Sequence, residues 1–145
     1  MSIHLVCPQC LSTNRVPPER VDQQPQCGQC HKPLFEGRAV PVDAAGFARM
    51  LADTDLPVLV DFWAPWCAPC RSMAPQLELA AQKLEPRVRV LKLDIEANPQ
   101  IGGQFNVQSI PTLALFGGGR EIARHSGAMG AQQIVNWVVP QVMQS

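Results

Sequence analysis

Trp63-Ala64-Pro65-Trp66-Cys67-Ala68-Pro69-Cys70 decides how the rest of this 145-residue chain is read. It follows the apolar run Pro57-Val58-Leu59-Val60-Asp61-Phe62 and leads into Arg71-Ser72-Met73-Ala74-Pro75-Gln76-Leu77-Glu78-Leu79-Ala80. Two cysteines with two residues between them therefore stand where a buried strand turns into a helix. A helix start offers unpaired N–H groups and a positive dipole end, which stabilise an anion. The thiolate is the nucleophile of disulfide chemistry, and its pKa falls at such a place. The stretch predicts a dithiol–disulfide exchange site.

Outward from it, Pro57 to Trp63 is apolar and β-branched, the pattern of a strand covered on both faces. Upstream, Arg38 to Val42 is a short strand with Pro41 marking an edge. Asp43 is placed to cap a helix through Met50 and Leu51 that shows Phe47, Met50 and Leu51 on one face. Downstream, Leu77, Ala80, Ala81 and Leu84 repeat at helical spacing, with Pro75 as a predicted kink. Arg87 to Asp94 is a strand, and Asn98 to Phe105 a short helix. Ile110 to Phe116 and Glu121 to His125 flank Gly117-Gly118-Gly119 as a hairpin. A last helix from Ala131 to Met143 buries Ile134, Val135, Val138, Val139 and Val142. Strands alternating with helices and ending in a hairpin predict an α/β fold, a central mixed β-sheet flanked by helices on both faces.

The first 36 residues read as a separate unit, so the expected division is 1–36 and 37–145. All six cysteines fall in Cys-x-x-Cys pairs, and two of the pairs lie here, Cys7/Cys10 and Cys27/Cys30. The 16 residues between them match the spacing of zinc sites built from two such pairs. Pro8 and Gly28 suit tight turns, and the intervening segment, with Pro17-Pro18 and Pro25, offers little core. One zinc ion held by Cys7, Cys10, Cys27 and Cys30 would supply the folding energy that burial cannot. Two disulfides, or iron in place of zinc, are the alternatives. His31 is a bystander on this reading and His4 is solvent-exposed.

Composition excludes several classes. Formal net charge is zero, with 12 basic and 12 acidic residues, so the footprint of a nucleic-acid or membrane-surface binder is missing. Tyrosine is absent and aromatics are 6%, which argues against a base-stacking platform. The N-terminus lacks the pattern of a signal peptide, and no apolar run reaches the roughly 18 residues of a membrane span. A cytoplasmic location and a monomer are expected.

From Arg38 onward the chain resembles the thioredoxin family, and with the four-cysteine unit in front it resembles that family's zinc-binding thioredoxin 2 type of bacteria. The match is carried by Val60 to Cys70, Ala74-Pro75, Lys92-Leu93-Asp94 and Ile110-Pro111-Thr112. The resemblance implies the thioredoxin fold preceded by a small zinc-ribbon-like module. It also implies a protein-disulfide reductase, recharged by thioredoxin reductase with NADPH, with no organic cofactor of its own. Residue by residue, it makes Cys67 the attacking thiol and the more exposed one, and Cys70 the more buried resolving thiol. Asp61 is the buried carboxylate that takes a proton from Cys70; burial alone should raise its pKa. Lys92 is its neighbour, or else an ordinary strand lysine. Pro111 follows a cis peptide bond opposite the cysteines. Trp66, Pro69, Ile95, Ile110, Gly127 and Ala128 complete a rim that docks disulfide-containing protein substrates, although Ile95 and Ile110 are equally compatible with core packing. Ala68 replaces the family's usual glycine. Two other functions stay open: a disulfide oxidase or isomerase, and a zinc-dependent redox-sensing binding or chaperone module.

Overall fold

In the computed structural model, which describes residues 1–143, the run before Cys67 is strand β4 (Val58–Trp63), counted in chain order. The end of the expected second unit, residue 145, lies outside the described residues. β4 is the middle of a five-stranded sheet of order β3-β5-β4-β6-β7. Its neighbours are β5 (Arg89–Asp94), parallel, and β6 (Thr112–Gly117), antiparallel. β3 (Val40–Val42) pairs in parallel with β5 at one edge, where Pro41 costs no ladder bond on the open side. β7 (Arg120–Ser126) closes the hairpin at the other edge. Residues 58–62 are all buried, as expected for a strand with helices over both faces.

Alternation along the strands sends the side chains into two cores. Leu59, Val90, Leu113 and Leu115 meet Met73, Leu77, Ala80 and Leu84 of α2 (Ala68–Leu84), together with Ile134 and Val138 of α4 (Ala131–Val142). Val60, Phe62, Leu91, Leu93 and Phe116 meet Phe47 and Met50 of α1 (Ala44–Asp53) and Ile101 of α3 (Pro99–Gln104). Asp43 caps α1 as expected, its Oδ1 accepting the Gly46 amide at 2.8 Å. Pro75 sits inside α2, which continues past it to Leu84.

The N-terminal unit departs from the sequence reading. It contains a hairpin of β1 (Ile3–Val6) and β2 (Thr13–Val16), and Leu5, Cys7, Val16, Cys27 and Leu34 make a small core of their own. Val6 packs instead into the α1 side of the larger domain. The four-residue strands are too short, and their apolar residues too scattered, to print a periodicity. The unit is tied down along its length. The Asp55 amide donates to the His4 carbonyl at 2.9 Å and the His4 amide to Asp55 Oδ2 at 2.6 Å. Arg49 reaches the Leu11 carbonyl and Thr13 Oγ1, each at 3.1 Å.

Phe47 is the hub of the second core, with ring centroids 5.4–6.1 Å from Phe62, Phe105 and Phe116 in edge-on geometry. Phe47→Ala should cost about 3–5 kcal/mol, read as a lower urea midpoint at unchanged slope. A loss below about 1 kcal/mol would show that the ring is not the hub.

Candidate redox centre and candidate metal centre

Cys67 is the N-cap of α2, and its Sγ accepts the Cys70 amide at 3.2 Å. The two cysteines, with Cα atoms 5.2 Å apart, are joined as a disulfide. Cys67 is 4% and Cys70 2% exposed, so in this oxidised form the expected exposure of Cys67 is not seen. Its Sγ is bonded to Cys70 and lies 3.7 Å from the Ile110 carbonyl oxygen. The Ile110–Pro111 peptide is cis, as the resemblance implies. Thr112 Oγ1 donates to the Ser109 carbonyl at 2.7 Å, and the Gly127 amide donates to the Pro111 carbonyl at 2.9 Å. The second contact brings the β7–α4 loop beside the cis loop, with Gly127 at φ +107°, where a Cβ would be strained.

Around the disulfide, Trp66 is 66% exposed, and Pro69, Gly127 and Ala128 are exposed. Ile110 is half-buried. Ile95 is half-buried too, but it packs on the α3-side core, its side chain lining the backbone of Gly102. Of the expected rim it has the plainest packing role.

Behind Cys70 lies Asp61. It is 4% exposed, and its Oδ1 has no hydrogen-bond partner among the described residues. It stands in register with Lys92 on the neighbouring strand, so both side chains share the α2 face. Burial pushes the Asp61 carboxyl up to about 7, the Lys92 charge pulling the other way. Lys92 Nζ is 4.9 Å from the centre of the Trp63 ring. A cavity of about 50 Å³ is lined by Asp61, Trp63, Cys70, Ala74, Glu78 and Lys92 among others, enough for a water between carboxyl and sulfur.

The other four cysteines converge. Their sulfurs lie within 4.8 Å of one another, with Cys7–Cys30 and Cys10–Cys27 at 3.6 Å. A tetrahedral zinc with Zn–S near 2.3 Å needs edges of about 3.8 Å, so the set fits such an ion. The two pairs are built alike. In each, the first cysteine's amide donates to a carbonyl five residues on, Ser12 or Lys32, at 2.9 Å. The amide four residues on, Leu11 or His31, returns to the cysteine carbonyl, also at 2.9 Å, with that residue at φ 62° or 66°. The Gln9 and Gln29 amides donate to Cys7 and Cys27 Sγ at 3.3 Å. These are thiolate-facing turns. Peptide N–H groups, the Cys30 amide foremost, lower the Cys27 thiol to about 6, whereas burial pushes Cys7 up to about 12.

Two supporting residues escaped the sequence reading. Asn14 Nδ2 is 3.5 Å from Cys27 Sγ while its Oδ1 accepts the Gly28 amide at 2.9 Å. Arg89, 1% exposed, donates from Nη2 to the Val6 and Leu34 carbonyls of the N-terminal unit. Asn14 lies four residues after Cys10 but outside either Cys-x-x-Cys pair, and Arg89 is far from every cysteine, so pair spacing carried no signal for either.

Asp61 sets a pH dependence. Its carboxyl titrates near 7 when folded, against 3.8 ordinarily. Between those values the folded chain binds a proton that the unfolded chain lacks, so stability falls as pH rises through the window. Asp61→Asn should therefore gain on the natural chain from pH 4 to pH 8, by up to about 4 kcal/mol. Urea melts of both oxidised proteins across that range measure it; a difference that stays constant with pH would contradict it.

Comparison with known proteins agrees with this geometry. Residues 38–139 match the thioredoxin family model, and residues 6–32 match the zinc-ribbon family described as thioredoxin 2, N-terminal. Thioredoxin C-3 of Corynebacterium nephridii is 42% identical over 140 residues, covering 97% of this chain and 96% of that one. Thioredoxin 1 of Nostoc sp. is 44% identical over 91 residues, covering 63% and 85%. The crystal structure of chloroplastic thioredoxin z superposes with a TM-score of 0.67 at 29% identity, over 74% of this chain and 96% of that one. With its mixed sheet, its disulfide at the head of α2 and these matches, the chain belongs to the thioredoxin family of oxidoreductases.

Proposed function

We propose that the protein is a general protein-disulfide reductase whose reaction runs through Cys67 and Cys70. One observation carries this: a Cys-x-x-Cys disulfide at a helix N-terminus with a buried, proton-binding carboxyl behind its second cysteine. In the reduced enzyme, Cys67 sits where the Cys70 amide and the α2 dipole favour a thiolate. That thiolate attacks one sulfur of a substrate disulfide. A Cys67–substrate bond forms, the substrate S–S bond breaks, and the first substrate sulfur leaves as a thiolate that takes a proton from solvent. Asp61, ionised, receives the Cys70 proton through the adjacent cavity, and the Cys70 thiolate attacks Cys67 Sγ. The second substrate thiolate departs, and the enzyme ends in the disulfide form described above. A carboxyl titrating near 7 is suited to this, since it exists in both forms at neutral pH. Lys92 tunes that carboxyl through its charge.

Substrate docks across Trp66, Pro69, Ile110, Pro111, Gly127 and Ala128, with Ile95 at the margin. An extended segment can pair its backbone with the cis loop. Two electrons from NADPH, delivered by thioredoxin reductase, restore the dithiol. The division at residue 36 separates this domain from the zinc module. Cys7, Cys10, Cys27 and Cys30 would hold one zinc ion, which fastens two turns that have only a small core between them. Four thiols kept for a metal suit a reducing compartment, which supports a cytoplasmic location. Among the described residues no helix is long and apolar enough to cross a membrane.

NADPH oxidation coupled through thioredoxin reductase to a protein disulfide tests the reading. The natural chain should turn over. Cys67→Ser should lose activity by at least a thousandfold, and Cys70→Ser should accumulate a mixed disulfide on Cys67 visible by mass spectrometry. No turnover by the natural chain, or activity retained in Cys67→Ser, would overturn it.

A further inference from the structure

Arg89 is the largest side chain among the fully buried residues. It opens β5, its backbone fixed by the bond from its amide to the Pro57 carbonyl at 2.9 Å, and it points away from the redox centre into the N-terminal unit. Nη1 donates to Glu85 Oε2 at 3.1 Å, and both side chains are nearly inaccessible, at 1% and 2%. Glu85 in turn accepts the Gly37 amide at 3.1 Å. Nη2 donates to the Leu34 carbonyl at 2.7 Å and to the Val6 carbonyl at 3.4 Å. The guanidinium carbon lies 4.4 Å from the centre of the Phe35 ring.

The two carbonyls are the informative partners. Val6 is the residue before the first ligand, Cys7. Leu34 closes the second turn, its amide donating to the Pro25 carbonyl at 3.0 Å. One guanidinium thus grips the stems of both cysteine turns from the outside. Burial works against its charge, and Glu85 first and Cys7 after it oppose that cost. A divalent cation on four thiolates is a net dianion, and none of the histidines, lysines or arginines of residues 1–36 is buried. Glu85 alone would balance an isolated buried arginine. The extra anionic charge of a loaded centre gives the cation a second purpose.

We propose that Arg89 is a positioning residue of the zinc centre, supplied by the thioredoxin domain: it holds the stems of both cysteine turns and offsets the charge of the loaded site. This rests on the zinc reading above and extends it. Metal retention is then set partly outside the module that provides the ligands. Coupling of this kind is reciprocal. If the thioredoxin domain steadies the zinc, loss of zinc loosens the start of β5, where Arg89 is left buried without its two carbonyls.

The test begins with the zinc content of the full-length chain, followed by release to excess chromogenic chelator. Arg89→Met should release zinc at least tenfold faster than the natural chain, and Arg89→Lys, which keeps charge but loses the fork, should fall between them. Hydrogen exchange on the natural chain gives a readout that needs no variant. Stripping zinc should deprotect residues 85–91 of the thioredoxin domain while residues 112–117 keep their protection. A chain that takes up no zinc overturns the zinc reading and this one together. A zinc-loaded, cooperatively melting Arg89→Met with the natural release rate overturns this one alone. If that variant does not fold, unchanged exchange at 85–91 after stripping does the same.

Discussion

The unbroken burial of β4 is the constraint on which the rest depends. Residues 58–62 have helices on both sides and strands on both edges. Over residues 58–62 such a strand keeps its side chains out of bulk solvent, so Asp61 is held inside with the apolar residues. Its raised pKa follows from that placement, as does its closeness to Cys70, because the chain leaves the strand at Trp63 and starts α2 after four intervening residues. The sheet thereby fixes both a buried carboxyl and a disulfide, and the helix start fixes the first sulfur by one amide.

Three Cys-x-x-Cys pairs in one chain are sorted by backbone alone. Each begins with the same bond from the fourth following amide to the first cysteine's carbonyl, from Leu11, His31 and Arg71 at 2.9, 2.9 and 3.1 Å. After Cys7 and Cys27 the chain enters the left-handed region and folds back, leaving the amide two residues on to face sulfur. After Cys67 it continues as a helix, and the residue two on is Pro69, which has no N–H, so the Cys70 amide is the one that faces sulfur. The turn presents two thiolates outward to a common point, which suits a metal. The helix start brings its two sulfurs together, which suits a reversible bond. Arg89 joins the two units, since its strand belongs to one and its hydrogen bonds reach the other.

Much of this was legible in the sequence. β4, α2 and the β6–β7 hairpin announce themselves by apolar runs, helical spacing and glycines, and Asp43 by the residue type that caps helices. Asp61 stood out because a carboxylate inside an apolar run has no bland explanation. The cis bond before Pro111 came from family resemblance, not from periodicity. The β1–β2 hairpin was missed because four-residue strands beside cysteine turns carry no period. Arg89 was missed for a different reason: Arg87-Val88-Arg89-Val90 looks like a solvated alternation, while the side chain of the second arginine is enclosed by Glu85 and by Val6, Leu34 and Phe35 of the N-terminal unit. Ile95 shows the same limit, since an isoleucine at a strand end reads alike as rim or core.

The central claim is that one pair exchanges electrons while the other two hold metal. Differential alkylation with mass spectrometry, on zinc-loaded protein equilibrated across thiol–disulfide buffers, measures this directly. The account predicts that Cys67 and Cys70 alone interconvert as a two-electron couple, near the roughly −270 mV typical of thioredoxin, with the other four cysteines unreactive throughout. Oxidation of Cys7, Cys10, Cys27 or Cys30 in the same range, or a Cys67/Cys70 midpoint near the about −120 mV of strong oxidants, would contradict it.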